Sequence, residues 1–123
     1  MRFGAHLRVS RHSPWEEYYC DYDALKALIA AKCSTEQFIE AWTQQLSKID
    51  AFFHKKWREL LDLLYSKAGR AEGLELVVEC LSVDELEDMR RSDALLMTLH
   101  SFVEDNFAAL RKSVKKFDKT SLT

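Results

Sequence analysis

The feature that most constrains this chain is a long apolar repeat in its first half. Between Ser34 and about Lys67, large apolar residues recur every three or four positions, which is the spacing of one helix face. They are Phe38, Trp42, Leu46, Ile49, Phe53, Trp57, Leu60 and Leu64. The repeat lasts about nine turns, and Gly69 follows it as a candidate C-terminal cap. We therefore predict one long helix over about residues 34–68.

A second apolar repeat lies in the C-terminal third and predicts a long helix over about residues 92–119. Its members are Leu96, Leu99, Val103, Phe107, Leu110, Val114 and Phe117. A short helix is predicted over about residues 2–10. Another is predicted over about residues 14–32, because Ser13, Pro14 and Glu16 form a helix start with a capping box. The acid-rich stretch of about residues 71–90 is predicted to be a connection with short helical turns, with a strand at "LELVVEC" as the alternative.

The composition favours a single all-α domain over residues 1–123. The chain has 47% hydrophobic residues, enough for one core, and its three Gly and one Pro are too few for the turns of an all-β fold. We predict an N-terminal helical hairpin packed on a bundle with two long antiparallel helices. Three cysteines without metal-ligand spacing, and the lack of a signal peptide, favour reduced thiols in the cytoplasm. No apolar run is long enough for membrane insertion.

The charges are segregated along the chain. The net charge is only −2, yet residues 1–12 contain three arginines and no acid, and residues 111–123 contain five cations and one acid. The remainder is therefore strongly acidic. The two ends are therefore basic and the middle is acidic, a pattern that the net charge conceals.

The last predicted helix has lysines on the face opposite its apolar stripe. These are Lys112, Lys115, Lys116 and Lys119. A solvated polar face is the simple explanation, since cations also suit a helix C-terminus. However, the four lysines make like-charge pairs at i,i+3 and i,i+4, which cost on the order of 1 to 2 kcal/mol in total. An uncompensated lysine face of this kind is typical of a polyanion site.

Two further elements fit an anion. Tyr22 and Lys26 stand one helical turn apart, so a phenol and an ammonium are able to contact the same phosphate, although Tyr22 also belongs to an apolar series and a core role is the alternative. A helix that begins near Met1 places its positive dipole end close to Arg2. A frayed terminus is the alternative there.

Four segments of the chain resemble, in order, the characteristic segments of the SPX domain. They are "MRFGAHL", "PWEEYYCDYDALKALI", "KIDAFFHKKWREL" and "FAALRKSVKKFDK". The resemblance implies a helical module with an N-terminal hairpin and two long helices, which binds inositol polyphosphates and pyrophosphates as signals of cellular phosphate status. It assigns Tyr22, Lys26 and Lys116 to a phosphate-binding cluster and the other three lysines to an adjacent lysine surface. Arg2 stands where this family usually has a lysine.

The hypothesis from sequence is a non-enzymatic sensor domain whose ligand is inositol hexakisphosphate or an inositol pyrophosphate. No cofactor, metal or nucleic acid is expected, and the further partner is a protein or a fused effector domain. The cytoplasm, the cytosolic face of a membrane protein or the nucleus is the expected location. The alternative is a helical module that uses the basic helix to bind nucleic acid or protein, but the acidic middle would repel a duplex.

Overall fold

The computed structural model describes residues 3–68 and 83–121, and every regular element within them is helical. The elements are α1 (Phe3–Ser10), a 3-10 helix (Ser13–Tyr18), α2 (Tyr22–Ala30), α3 (Thr35–Ala68) and α4 (Val83–Ser121). The predicted all-α class is therefore confirmed for the described residues. The segment "LELVVEC", where a strand was the alternative, lies outside them.

The helix predicted over residues 14–32 is wrong as a single element, because the chain is extended between the 3-10 helix and α2. Tyr19 has φ −72° and ψ 155°. Beyond it the amide of Asp21 donates to Oε1 of Gln45 at 2.9 Å, and the Asp21 carboxylate accepts from the amide of Ala24 at 3.0 Å. These side-chain partners replace intrahelical hydrogen bonds and cap a new helix.

The last helix begins earlier than the sequence predicted. Residues 83–90, assigned to the connection, form the first turns of α4. Ion pairs at i,i+3 lie on these turns, with 2.9 Å between Glu87 and Arg90 and 3.7 Å between Asp88 and Arg91. The apolar spacing is weak here, whereas the charge pairs at i,i+3 are a helical signal.

The chain divides into two compact units, Met1–Phe52 with Ser101–Thr123, and Phe53–His100. In the first unit α3 and α4 are antiparallel, because early residues of α3 meet late residues of α4. Phe38 stacks on Phe117 with 4.4 Å between ring centroids. Trp42 Nε1–H donates to the carbonyl of Leu110 at 3.1 Å.

The 3-10 helix is anchored in the first unit by aromatic packing. Trp15 lies edge-on to Phe52 and Phe102, with centroid distances of 5.2 and 5.8 Å. Tyr18 stacks on Phe52 at 4.1 Å, and Tyr19 contacts Phe102 at 4.9 Å. Buried aromatic side chains contribute much of a core's apolar area, so this cluster fixes the chain that leads into α2.

The buried face of α4 differs from the predicted apolar stripe. Phe107 and Val114 are 58% and 38% exposed, whereas Asn106 and Ser113 are fully buried. Burial of these two polar side chains is compatible with stability because both are hydrogen-bonded. At 100° per residue, the observed core direction in the first unit is rotated by about 75° from the prediction. The lysines therefore lie on a different part of the surface than expected.

The second unit contains the end of α3 and the beginning of α4. Leu60 and Leu99 are buried there. Phe53 stacks on Trp57 at 6.1 Å, and Lys56 pairs with Glu59 at 3.1 Å. Among the helices of the described part of the chain, none is long and apolar enough to cross a membrane.

Candidate functional site

The predicted ligand residues are carried by two helices of the first unit. Tyr22 and Lys26 lie on the first turns of α2. The four lysines of α4, which we call the lysine cluster, lie near the end of that helix. Arg2 lies outside the described residues, so its place in the site stays a prediction.

The ring of Phe3 brings α1, α2 and α4 together. Tyr22 meets it edge-on, with 5.1 Å between ring centroids and an interplanar angle of 81°. The Nζ of Lys112 lies 5.1 Å from the centroid of the same ring. One residue of α2 and one residue of the lysine cluster are therefore neighbours of a single side chain at the start of α1.

Lys26 lies close to Tyr22 and to α1. Its Nζ is 5.5 Å from the centroid of the Tyr22 ring. A Cβ placed on Gly4 would stand 3.8 Å from this Nζ and 3.7 Å from Oδ1 of Asp23. Gly4 is buried. A Cβ at these distances would make ordinary van der Waals contact, so α1 packs closely against the Lys26 and Asp23 side chains here.

The lysine cluster is exposed and carries no carboxylate partner among the described residues. Lys56 of the second unit, by contrast, is paired with Glu59. Lys112 and Lys115 also line an open groove of about 520 Å³, together with Arg111, Val114 and Asp118. The local excess of positive charge predicted from the sequence is therefore present on the folded surface.

The rotation of α4 changes which lysines face α1 and α2. On a helical wheel drawn at 100° per residue, Lys116 lies about 65° and Lys112 about 100° from the observed core direction, and both lie on the same side of it. Lys112 is the member that contacts Phe3. Lys116 follows it by one turn, whereas Lys115 lies on the outer surface. This places Lys116 on the flank that carries Lys112, nearer the core than the sequence indicated.

The Tyr22 phenol is suited to donate a hydrogen bond. Burial raises the pKa of Tyr22 above its ordinary value, and the nearby Asp23 and Cys20 raise it further. The phenol therefore keeps its proton throughout the physiological pH range. Tyr22 is buried, as the core alternative required, and it also adjoins Lys26. A core role and a phosphate-binding role are therefore compatible for Tyr22.

A second cavity, of about 310 Å³, adjoins the Tyr22 turn. Its lining residues are Gly4, Leu7, Arg11, Glu16, Glu17, Tyr19, Cys20, Asp21, Tyr22, Asp23 and Lys48. The four carboxylates outnumber the two cations, so this cavity does not suit a polyanion. Within the described ranges, no group of three or more His, Cys, Asp or Glu residues is arranged to hold a metal ion.

Phe3 and Gly4 were not predicted as parts of the site. In the sequence, Phe3 belongs to the short helix predicted over about residues 2–10 and to the segment "MRFGAHL", and neither gave it a function. Its function as a meeting point depends on contacts with residues 19 and 109 positions away, and neither spacing is visible as a local pattern. The one local signal was an aromatic residue beside a glycine in a first helical turn, which is weak by itself.

Comparison with known proteins gives consistent matches, although no family model matches the chain. An SPX domain-containing membrane protein of Oryza sativa subsp. indica is 26% identical over 97% of the chain, and so is one from subsp. japonica. The chain spans about a fifth of the length of these relatives, 19% of each.

A solved structure is similar over nearly the whole chain. It is the SPX domain of Chaetomium thermophilum glycerophosphodiester phosphodiesterase 1 in complex with inositol hexakisphosphate. The TM-score is 0.87 and the identity 27%, with 98% of this chain and 76% of that chain covered. The resemblance to the SPX domain is therefore confirmed in sequence and in fold.

Proposed function

We propose that this chain is an SPX-like domain over residues 1–123 that binds inositol polyphosphates and inositol pyrophosphates. It reports cellular phosphate status to an attached or partner protein. The observation that carries the proposal is the meeting of Tyr22 and Lys112 at the Phe3 ring, beside Lys26. The fold resembles that of an SPX domain in complex with inositol hexakisphosphate.

The proposed site divides the ligand between two groups of residues. Lys26 and Lys116, with the Tyr22 hydroxyl, hold one phosphate. Lys112, Lys115 and Lys119 attract the remaining phosphates through charge. The N-terminal end of α1 and Arg2 complete the rim. Lysines suit this ligand because each ammonium is a compact charge that can adjust to several phosphates, and ligand charge relieves their mutual repulsion.

In this proposal the domain is a binding module and not an enzyme. It requires no cofactor, because the inositol phosphate itself is the signal. The ligand is cytosolic, so the domain lies in the cytoplasm, in the nucleus or at the cytosolic face of a membrane protein. The regulated activity belongs to a protein partner or a fused effector domain.

A nucleic-acid-binding module is the second candidate, because the exposed lysine cluster would also attract a phosphate backbone. The acidic middle of the chain, residues 13–110, disfavours it, since it would repel a long duplex. A plain protein-interaction bundle is the third candidate.

Calorimetric titration separates these candidates. The chain is titrated with inositol hexakisphosphate and with a duplex oligonucleotide, as wild type, as Lys116→Ala and as Lys55→Ala, an exposed lysine of the second unit. The proposal predicts inositol hexakisphosphate binding that weakens at least about tenfold in Lys116→Ala, the loss of one charge-assisted hydrogen bond, and is unchanged in Lys55→Ala. Equal binding of the oligonucleotide would favour the second candidate, and no binding of either ligand would favour the third.

A further inference from the structure

We propose that Phe3 is a positioning residue of the inositol phosphate site, which holds the Lys112 ammonium beside Tyr22 without itself contacting phosphate. This inference rests on the proposed function and adds a requirement to it. The affinity of the site then depends on an aromatic ring in α1 as well as on its cations.

The geometry gives Phe3 two neighbours with complementary electrostatics. The ring of Tyr22 approaches at 81°, an edge-to-face arrangement that fixes the orientation of both rings. The Nζ of Lys112 lies within 5.1 Å of the Phe3 centroid, inside the range in which an ammonium is attracted by a ring quadrupole. His6 is a more distant neighbour, with 6.3 Å between ring centroids.

This contact gives Lys112 a property that the rest of the lysine cluster lacks. Within the described part of the chain, Lys112 is the member of the cluster that has a ring contact, and none of the four has a carboxylate partner. A free lysine side chain has much rotational freedom, and its ordering costs free energy when a ligand binds. An ammonium already held over Phe3 has lost part of that freedom, so less remains to be lost on binding.

The Lys26 ammonium also lies over an aromatic ring. Lys26 Nζ lies 5.5 Å from the Tyr22 centroid, and Tyr22 is the ring that meets Phe3. The two cations are therefore associated with two rings in mutual contact. A multiply charged ligand that contacts both Lys26 and Lys112 therefore binds ammonium groups that are already positioned by the two rings.

In this proposal, the aromatic ring of Phe3, and not only its apolar volume, positions the Lys112 ammonium. Phe3→Leu keeps an apolar side chain against α2 but removes the quadrupole that attracts Lys112. Phe3→Tyr keeps a ring. Phe107→Leu is the matched control, because it makes the same change at an exposed ring on α4 outside the site.

The first measurement is made without ligand. The ring current of Phe3 shifts the NMR signals of the Lys112 ε-methylene group in the wild type, and this shift is lost in Phe3→Leu and kept in Phe107→Leu. The second measurement is the affinity for inositol hexakisphosphate, which falls about three- to fivefold in Phe3→Leu, the range of an exposed cation–π contact. Phe3→Tyr restores it, and Phe3→Leu has no further effect in a Lys112→Ala background.

Each outcome bears on the inference. It is overturned if folded Phe3→Leu binds as tightly as wild type, or if the Phe3→Leu loss persists in full without Lys112. If the wild-type chain does not bind inositol hexakisphosphate, both the proposed function and the inference fail. If the wild type binds and Phe3→Leu binds with the same affinity, only the inference fails. Circular dichroism checks folding, and Phe3→Met makes the same comparison if Phe3→Leu does not fold.

Discussion

The backbone amide of Cys20 donates a hydrogen bond of 2.6 Å to Oδ1 of Asn106, across 86 positions of sequence. Both residues are buried. The amide of the Asn106 side chain donates in turn to the carbonyl of Phe102 at 2.7 Å. Because Cys20 lies two residues before the first residue of α2, this contact fixes the start of α2 against α4. It thereby sets the distance between the Tyr22 turn and the lysine cluster.

Replacement of Asn106 tests this role. Asn106→Leu leaves the buried Cys20 amide without an acceptor, and we expect the free energy of unfolding to fall by about 2–4 kcal/mol, from the desolvation of that amide and the strain of repacking. Ser113→Ala is the control, because the Ser113 hydroxyl donates only to the Leu110 carbonyl of its own helix. Urea denaturation measures both variants. A similar small loss in both would contradict the assigned role of Asn106.

Asn106 and Ser113 also show which part of the fold was not predictable from the sequence. The long helix α3 was predictable because its apolar residues repeat over many turns. Two members of its predicted stripe, Trp57 and Leu64, are nevertheless 40% and 47% exposed. On α4 the apolar stripe indicated the wrong face, since Phe107 is exposed and Asn106 is buried. A buried Asn is stable only through its partner, and the Cys20 amide is not detectable from the sequence of α4 alone.

In the candidate site, too, some residues were predictable from the sequence and others were not. The like-charged lysines and the Tyr22–Lys26 spacing depend on i,i+3 and i,i+4 distances, which the sequence displays directly. The contribution of Phe3 depends on contacts between three helices, which no local pattern encodes. Arg2 and residues 69–82 lie outside the described residues, and the predictions for them stay predictions.

The indole of Trp42 makes a hydrogen bond whose loss should have a modest cost. Its Nε1–H donates to the Leu110 carbonyl, which also accepts from the Ser113 hydroxyl at 2.7 Å. Trp42→Phe therefore leaves no carbonyl without a donor, and we expect a loss of about 0.5–1.5 kcal/mol in the free energy of unfolding. Trp57→Phe, at a more exposed tryptophan, should cost less in the same denaturation experiment. The reverse order would contradict the packing described.

Cys20 should make stability depend on alkaline pH. Burial raises the pKa of the Cys20 thiol to about 11 from an ordinary value of 9.0. The folded state therefore retains a proton that the unfolded state loses, so the contribution is complete below pH 9 and is lost as the pH rises to about 11. At about 1.4 kcal/mol per pKa unit, the expected loss is on the order of 3 kcal/mol.

Denaturation at pH 8 and pH 10.5 measures this effect, with Cys20→Ala as the comparison. The variant should lose less stability than wild type over this interval, because the titrating thiol is gone while the tyrosines remain. Equal losses would contradict the assignment. Alkylation gives an independent check, since half-buried Cys33 should react before Cys20 in the folded protein.

The lysine cluster should make the ligand-free protein slightly less stable at low salt. Lys115 and Lys119 are an exposed i,i+4 pair of like charges. Lys115→Gln removes this repulsion without removing a cation from the last turn of α4. We expect a gain of a few tenths of a kcal/mol at low ionic strength that vanishes at high salt. Melting temperatures at the two salt concentrations measure the gain. The same change at Lys56, which is paired with Glu59, should give no gain.

An NMR titration of the lysine side chains with inositol hexakisphosphate tests whether α2 and α4 share one ligand site. We expect the ε-methylene signals of Lys26, Lys112 and Lys116 to shift together and to saturate at one equivalent of ligand. The signals of Lys48, beside the acidic cavity, should remain in place. If Lys26 does not respond while the lysines of α4 do, the ligand binds to an exposed basic helix alone, and the shared site between α2 and α4 does not exist.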